Sequence, residues 1–216
     1  MIELVILLLT SYITGSFPTS IVITRAIKNI DIREHGSGNA GATNVFRVLG
    51  WKYAIFVLAF DIFKGWLPTA VYATIIFQQL PIPDQGLVQI LCGFAAVIGH
   101  IFPIFTGFKG GKGVGSLIGV LLALYPLVFP LCLLIGVAVI TTTGYVSLGS
   151  ISAAISLPII ILFLPRLGLI NPDLSLVVFS LLVPWVIIFT HRTNISRIRN
   201  GTENRFEKAI IFKKKN

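Results

Sequence analysis

Gly36-Ser-Gly-Asn-Ala-Gly-Ala-Thr-Asn-Val-Phe-Arg47 gathers three glycines, two amides, two hydroxyls and a guanidinium into twelve residues. Glycine permits tight turns and close backbone approach. Successive exposed N–H groups make an anion-holding nest, and an arginine adds a bidentate grip on phosphate. A second polar island, Gly107-Phe-Lys-Gly-Gly-Lys-Gly113, and a third, His191-Arg-Thr-Asn-Ile-Ser-Arg197, follow it. The candidate groups are Ser37, Gly38, Asn39, Thr43, Asn44 and Arg47 in the first island. The second contributes Lys109, Gly110, Gly111, Lys112 and Gly113, and the third His191 and Asn194, with Glu203 close behind. A set rich in cations and amides and poor in carboxylates suits an anionic ligand, most simply phosphate. Lys112 is well placed, because Gly-Gly-Lys-Gly precedes a predicted helix whose first amides also favour anions.

Other chemistries fit less well. A nucleotide-binding P-loop needs four residues between its first Gly and a Gly-Lys-Ser/Thr triplet, which this chain lacks. His35, His100 and His191 are scattered without the ligand spacing of a metal centre, so neither metal nor cofactor is expected. Ser37 has no base readable beside it for nucleophilic catalysis. The His-x4-Asp pattern of the familiar glycerolipid acyltransferases is absent at all three histidines. Asp61 and Lys64, three apart on one helix face, form a charged pair inside an apolar run, which marks either a functional site or a structural ion pair near the headgroups. They are read with His100 as structural or site-supporting.

These islands interrupt a chain that is mostly oil. Of its 216 residues 55% are hydrophobic and 12% charged, and the mean hydropathy is +0.92. Soluble domains carry roughly 25% charged residues, so the composition requires an all-α polytopic membrane protein. The net charge of +9 does not indicate nucleic acid, because it is concentrated in loops and tail, as the cytoplasmic bias of Lys and Arg demands. Cys92 and Cys132 lie in apolar runs and read as packed thiols. The first run lacks a basic leader region and a cleavage site and reads as a retained span.

Apolar runs place spans at about 4–24, 53–77, 86–105, 112–124, 126–142, 145–164 and 174–190. Pro18 should break the first, residues 81–84 make a turn, and Tyr125-Pro126 divides the run at 114–142. Seven transmembrane helices, with the N-terminus outside and the basic C-terminus cytoplasmic, put loops 25–52 and 106–113 and the tail on one side. Those segments hold five, two and eight of the 17 Lys and Arg. The expected organisation is a single seven-helix membrane domain over 1–190, with a cytoplasm-facing active site. A cytoplasmic tail over 191–216 contributes its first part to that site.

Together the motifs are specific. Gly15-Ser-Phe-Pro-Thr-Ser20, the 36–47 island, Asp61-Ile-Phe-Lys-Gly65, Gly99-His-Ile-Phe-Pro103, Gly107-Phe-Lys-Gly-Gly-Lys112, Tyr145-Val-Ser-Leu148 and His191-Arg-x-Asn through Glu203 cover nearly the whole chain. In this order they resemble the bacterial membrane glycerol-3-phosphate acyltransferases that use acyl phosphate. The resemblance implies acyl transfer to the 1-hydroxyl of glycerol 3-phosphate, giving 1-acylglycerol 3-phosphate and inorganic phosphate, in the bacterial inner membrane. It implies acyl phosphate, glycerol 3-phosphate and membrane lipid as partners; no nucleic acid and a monomeric state are separate expectations. Direct attack without an acyl-enzyme is the expected route. Ser37, Arg47, Lys112, His191 and Asn194 are the expected catalytic residues, and the other island residues the expected substrate contacts. Two positions depart from the family pattern: Gly115-Ser116 where Ala-Thr is common, and Ala40 where Pro is common. The different-class alternative, a phosphate or organophosphate transporter, would call for paired repeats with broken midplane helices, and no such repeat is apparent.

Overall fold

The computed structural model describes residues 2–80, 82–207 and 210. Pro81 of the predicted turn, and residues 208–209 and 211–216 of the tail, lie outside the described residues. The chain divides into two compact units, Met1–Leu124 and Tyr125–Asn216.

In the first unit, α1 (Ile2–Ser16) and α2 (Thr19–Lys28) are one apolar stretch broken at Phe17-Pro18. Proline supplies no N–H, and the Ile21 N–H bonds the Pro18 carbonyl rather than that of Phe17. The Phe17 carbonyl then accepts Lys64 Nζ at 2.9 Å. A short helix, α3 (Ala42–Leu49), follows the first island. Next, α4 (Trp51–Leu67) runs through a π-helical stretch at Pro68–Tyr72 into α5 (Ala73–Phe77). Asp84 caps α6 (Gln85–Ile101) by accepting the Leu87 N–H at 3.0 Å, the use expected of an acidic N-cap. The unit ends with α7 (Val114–Leu124). Within it α1 packs on α6 and α4 on α7. The α1–α6 crossing is close because a Cβ on Gly15 would strike the Ala96 carbonyl and one on Gly99 the Tyr12 carbonyl. Small residues at such crossings let membrane helices approach.

The second unit contains α8 (Phe129–Thr143), α9 (Val146–Phe163), α10 (Leu174–Thr190) and α11 (Arg192–Arg199), with α8 and α10 each packed on α9. The expected interruption after α7 is present at residues 125–128. Cys92 and Cys132 are both buried free thiols. Large apolar side chains such as Ile55, Leu134 and Trp185 are exposed on the helices, as suits a protein whose solvent is lipid.

The fold is an all-α polytopic membrane fold, but the seven-span expectation is overturned. Among the described residues four helical stretches are long and apolar enough to cross a bilayer: Ile2–Lys28, Trp51–Phe77, Gln85–Thr106 and Val146–Leu167. A fifth is reached by joining α10 and α11, which are bent by 60°. The physical reason is length. Helices α7 and α8 have 11 and 15 residues, about 16 and 22 Å at 1.5 Å per residue, against a hydrocarbon core of about 30 Å. Apolar composition alone does not measure how far a helix continues. The orientation of the termini was argued from a count of seven and loses that support.

Candidate active site

The first island is a loop held from within. Asn44, in the first turn of α3, is buried, and its side chain is engaged at both ends. Its Oδ1 accepts the Ser37 N–H at 2.8 Å, and its Nδ2 donates to the carbonyls of His35 at 2.8 Å and Ile32 at 3.1 Å. Gly36 is required here: its φ is +62°, and a Cβ would run into Asn44 Oδ1. The loop rests on an apolar cluster of Ile21, Ile32, Ala40, Val45, Ala54 and Val57. With Asn44 and Val45 facing this core, Thr43 and Arg47 on the same helix are exposed. Lys28 Nζ donates to the Val48 carbonyl at 3.0 Å near the C-terminus of α3, where a cation is favoured.

A second tie joins this loop to the glycine loop. Asp31 accepts the Arg33 N–H at 3.0 Å, Nε at 3.0 Å and Nη2 at 2.7 Å, while Arg33 Nη1 donates to the Thr106 carbonyl at 3.0 Å. The Arg33 side-chain hydrogen bond holds the Asp31 carboxyl down at about 2, against an ordinary 3.8. Neither Asp31 nor Arg33 was singled out in the sequence. Their pairing over two residues is visible there, but its use as a brace to a loop 73 residues away is not.

The glycine loop does not present all its amides. The Gly110 N–H donates to the Ile101 carbonyl and the Gly111 N–H to the His100 carbonyl, each at 3.1 Å. Both N–H groups close the loop against the end of α6. Gly111 also lies where a Cβ would collide with His100 Nε2 and come within 2.7 Å of the Ala40 carbonyl. The first and second islands thus meet at Ala40 and Gly111. Lys112 is half-buried and Lys109 exposed. Gly113, at φ +81°, turns the chain into α7.

Beside this junction lies a small, partly open cleft. Among its lining groups are Thr19, Asp61, Lys64, His100, Gly110 and Gly111. Lys64 Nζ is 2.8 Å from Asp61 Oδ1, with side-chain exposures of 3% and 4%. Thr19 Oγ1 donates to the same oxygen at 3.2 Å. Thr19 lies within the Gly15–Ser20 motif. Its partner lies 42 residues away, beyond any local pattern.

In the second unit Glu203 is buried, and its Oε1 accepts Asn194 Nδ2 at 2.6 Å and Ser147 Oγ at 2.8 Å. The carboxylate thus ties α11 to the start of α9. His191, buried at the end of α10, directs Nδ1 to the Ile187 carbonyl at 2.8 Å. A carbonyl only accepts, so Nδ1 carries the proton and Nε2 is the acceptor in the neutral ring.

Comparison with known proteins agrees with this architecture. The family model for glycerol-3-phosphate acyltransferase matches residues 5–201. Glycerol-3-phosphate acyltransferase of Chlorobaculum parvum is 42% identical over 226 residues, covering 95% of this chain and 97% of the relative. That of Chlorobium phaeovibrioides is 43% identical over 240 residues and 99% of both chains. The crystal structure of PlsY (YgiH), an integral membrane glycerol 3-phosphate acyltransferase, superposes in its glycerol 3-phosphate form with a TM-score of 0.79 at 38% identity. The match covers 94% of this chain and 95% of that one. Its lysophosphatidic acid form gives 0.78 at 36%, covering 95% and 97%. With the matches spanning almost the full length and the islands falling within them, this chain belongs to the glycerol-3-phosphate acyltransferase family, as a multi-pass acyltransferase of the bacterial inner membrane.

Proposed function

We propose that this protein transfers the acyl group of acyl phosphate to the 1-hydroxyl of sn-glycerol 3-phosphate by direct attack. Acyl transfer between these two substrates is the family-level reaction. Acyl phosphate is a mixed anhydride, so the carbonyl arrives activated and phosphate departs readily. The hydroxyl oxygen bonds to the carbonyl carbon, the bond from that carbon to the bridging oxygen breaks, and the hydroxyl proton leaves with inorganic phosphate. The other product is 1-acyl-sn-glycerol 3-phosphate.

The observation that supports this reading is the junction of the first island with the glycine loop at Ala40 and Gly111. It sets the Lys112 segment against the loop that contains Ser37 and Asn39. In this proposal Lys112 and the first amides of α7 hold one phosphate. Arg47, with Ser37 and Asn39, holds the other and directs the hydroxyl. The imidazole of His191, and Asn194, are assigned to the glycerol hydroxyls or the developing oxyanion by residue type and motif.

The test is an assay of purified protein in mild detergent with palmitoyl phosphate and glycerol 3-phosphate, reading phosphate and lysophosphatidic acid together. A parallel reaction replaces the donor with palmitoyl-CoA. Equal amounts of both products from acyl phosphate, with little from the CoA ester, are expected. No product from either donor in folded protein would sink the proposal and turn attention to organophosphate uptake in vesicles.

A further inference from the structure

An ion pair inside an apolar helix is costly to desolvate and weak as a source of stability, so the geometry around Asp61 and Lys64 calls for a use. Both ends of the segment 111–115 rest on this cluster. At one end, Gly111 donates its N–H to the His100 carbonyl at 3.1 Å, and the imidazole occupies the space its Cβ would need. At the other, Gly115 packs so closely that its Cβ would lie 2.8 Å from Asp61 Cβ. Lys112 sits between these two contact points. The cluster is itself pinned, by Thr19 to Asp61 at 3.2 Å and by Lys64 to the Phe17 carbonyl at 2.9 Å. His100 Nδ1 stands 3.7 Å from Asp61 Oδ1, so the carboxylate faces the ring that supports Gly111.

We propose that His100 and the Asp61–Lys64 pair are positioning residues that seat both ends of the Lys112 segment and so fix where the lysine meets phosphate. This rests on the reading of Lys112 as a phosphate ligand. It also gives the departure at Gly115 a physical meaning: an alanine there requires Asp61 to move.

A double-mutant cycle separates positioning from a merely structural role. The activity assay with palmitoyl phosphate and glycerol 3-phosphate is applied to His100→Ala, Lys112→Ala and the double variant. His100→Ala should lower kcat/KM on the order of 10- to 100-fold, the scale of a misplaced contact, and His100→Gln should recover part of the loss. In the His100→Ala background, Lys112→Ala should cost several-fold less than in the parent protein. If the two losses simply multiply, His100 acts independently of Lys112 and the inference is overturned. If Lys112→Ala alone leaves activity intact, the reading of Lys112 falls first and the inference with it.

Should His100→Ala fail to fold, Gly115→Ala serves in its place in the same cycle, because alanine is a better helix former than glycine. A folded Gly115→Ala with a loss that couples to Lys112 supports the inference. One with unchanged kinetics overturns it.

Discussion

Asn44 Oδ1 accepts the backbone N–H of Ser37 across seven residues at 2.8 Å, so one buried amide sets the shape of the first island. The same side chain donates twice to loop carbonyls. Removing it takes the acceptor from the Ser37 N–H, at about 1–3 kcal/mol where water cannot reach, and unties Asn44 from the His35 and Ile32 carbonyls, which keep the Gly38 and His35 N–H groups. Asn44→Ala should therefore lower the melting temperature in detergent and weaken substrate binding. Asn44→Asp should be worse, because a carboxylate would face the His35 and Ile32 carbonyls with no proton to donate. Thermal unfolding and KM for both variants check this; an Asp variant as stable as the parent would contradict the cradle.

How far the sequence could be read depends on how local each cause is. Pro18 breaks a helix wherever it stands, so the gap between α1 and α2 was legible. The Phe17 carbonyl, which the Ile21 N–H bypasses at this break, accepts Lys64 47 residues away, and no periodicity reports that. Phosphate chemistry was legible because glycines, lysines and amides clustered in short islands. The division of labour within an island was not: Asn44 resembles a ligand in sequence and is a loop brace in three dimensions. The Gly110 and Gly111 amides look available until the ends of α6 and the loop are seen to pair. The count of seven spans failed on α7 and α8, which are apolar enough to cross a bilayer but, at 11 and 15 residues, too short.

Glu203 accepts from both Asn194 and Ser147 through one oxygen. Glu203→Ala removes the acceptor that two buried side chains share and should destabilise the protein by about 1–3 kcal/mol, seen as a lower melting temperature. Glu203→Gln retains a carbonyl oxygen at the shared position and should keep most of the stability. A Gln variant as unstable as Ala would show that the charge, rather than the acceptor, is what the site needs.

The Asp31–Arg33 brace predicts a pH dependence with a definite sign. The folded carboxyl titrates at about 2, below its ordinary 3.8, so the folded state favours the ionised form. Its contribution to stability is complete above the unfolded value and is lost as pH falls from about 4 through 2. Melting of the parent protein should lose this component across that window, and Asp31→Asn should lack it. Parallel melting curves for the two proteins from pH 5 to pH 2 would contradict the assignment.

Lys112 and Arg47 are assigned to charge that must be held while the acyl group moves. Lys112→Ala and Arg47→Ala should each reduce turnover by about a hundredfold or more in folded protein, the scale of losing an electrostatic donor. Near-parental activity in both would remove the two residues from the site.

Direct attack makes a prediction about Ser37 that covalent catalysis does not share. Asn44 holds the Ser37 backbone N–H, and that bond is independent of the hydroxyl. Ser37→Ala should therefore leave the loop folded and lower activity by the loss of one substrate hydrogen bond, roughly 0.5–1.5 kcal/mol or about 2- to 13-fold. A nucleophile would instead be indispensable. Incubating the parent protein with palmitoyl phosphate alone and weighing it intact should reveal no acyl adduct. A palmitoyl mass increment that maps to Ser37, and that glycerol 3-phosphate discharges at the rate of turnover, would replace direct transfer with an acyl-enzyme route.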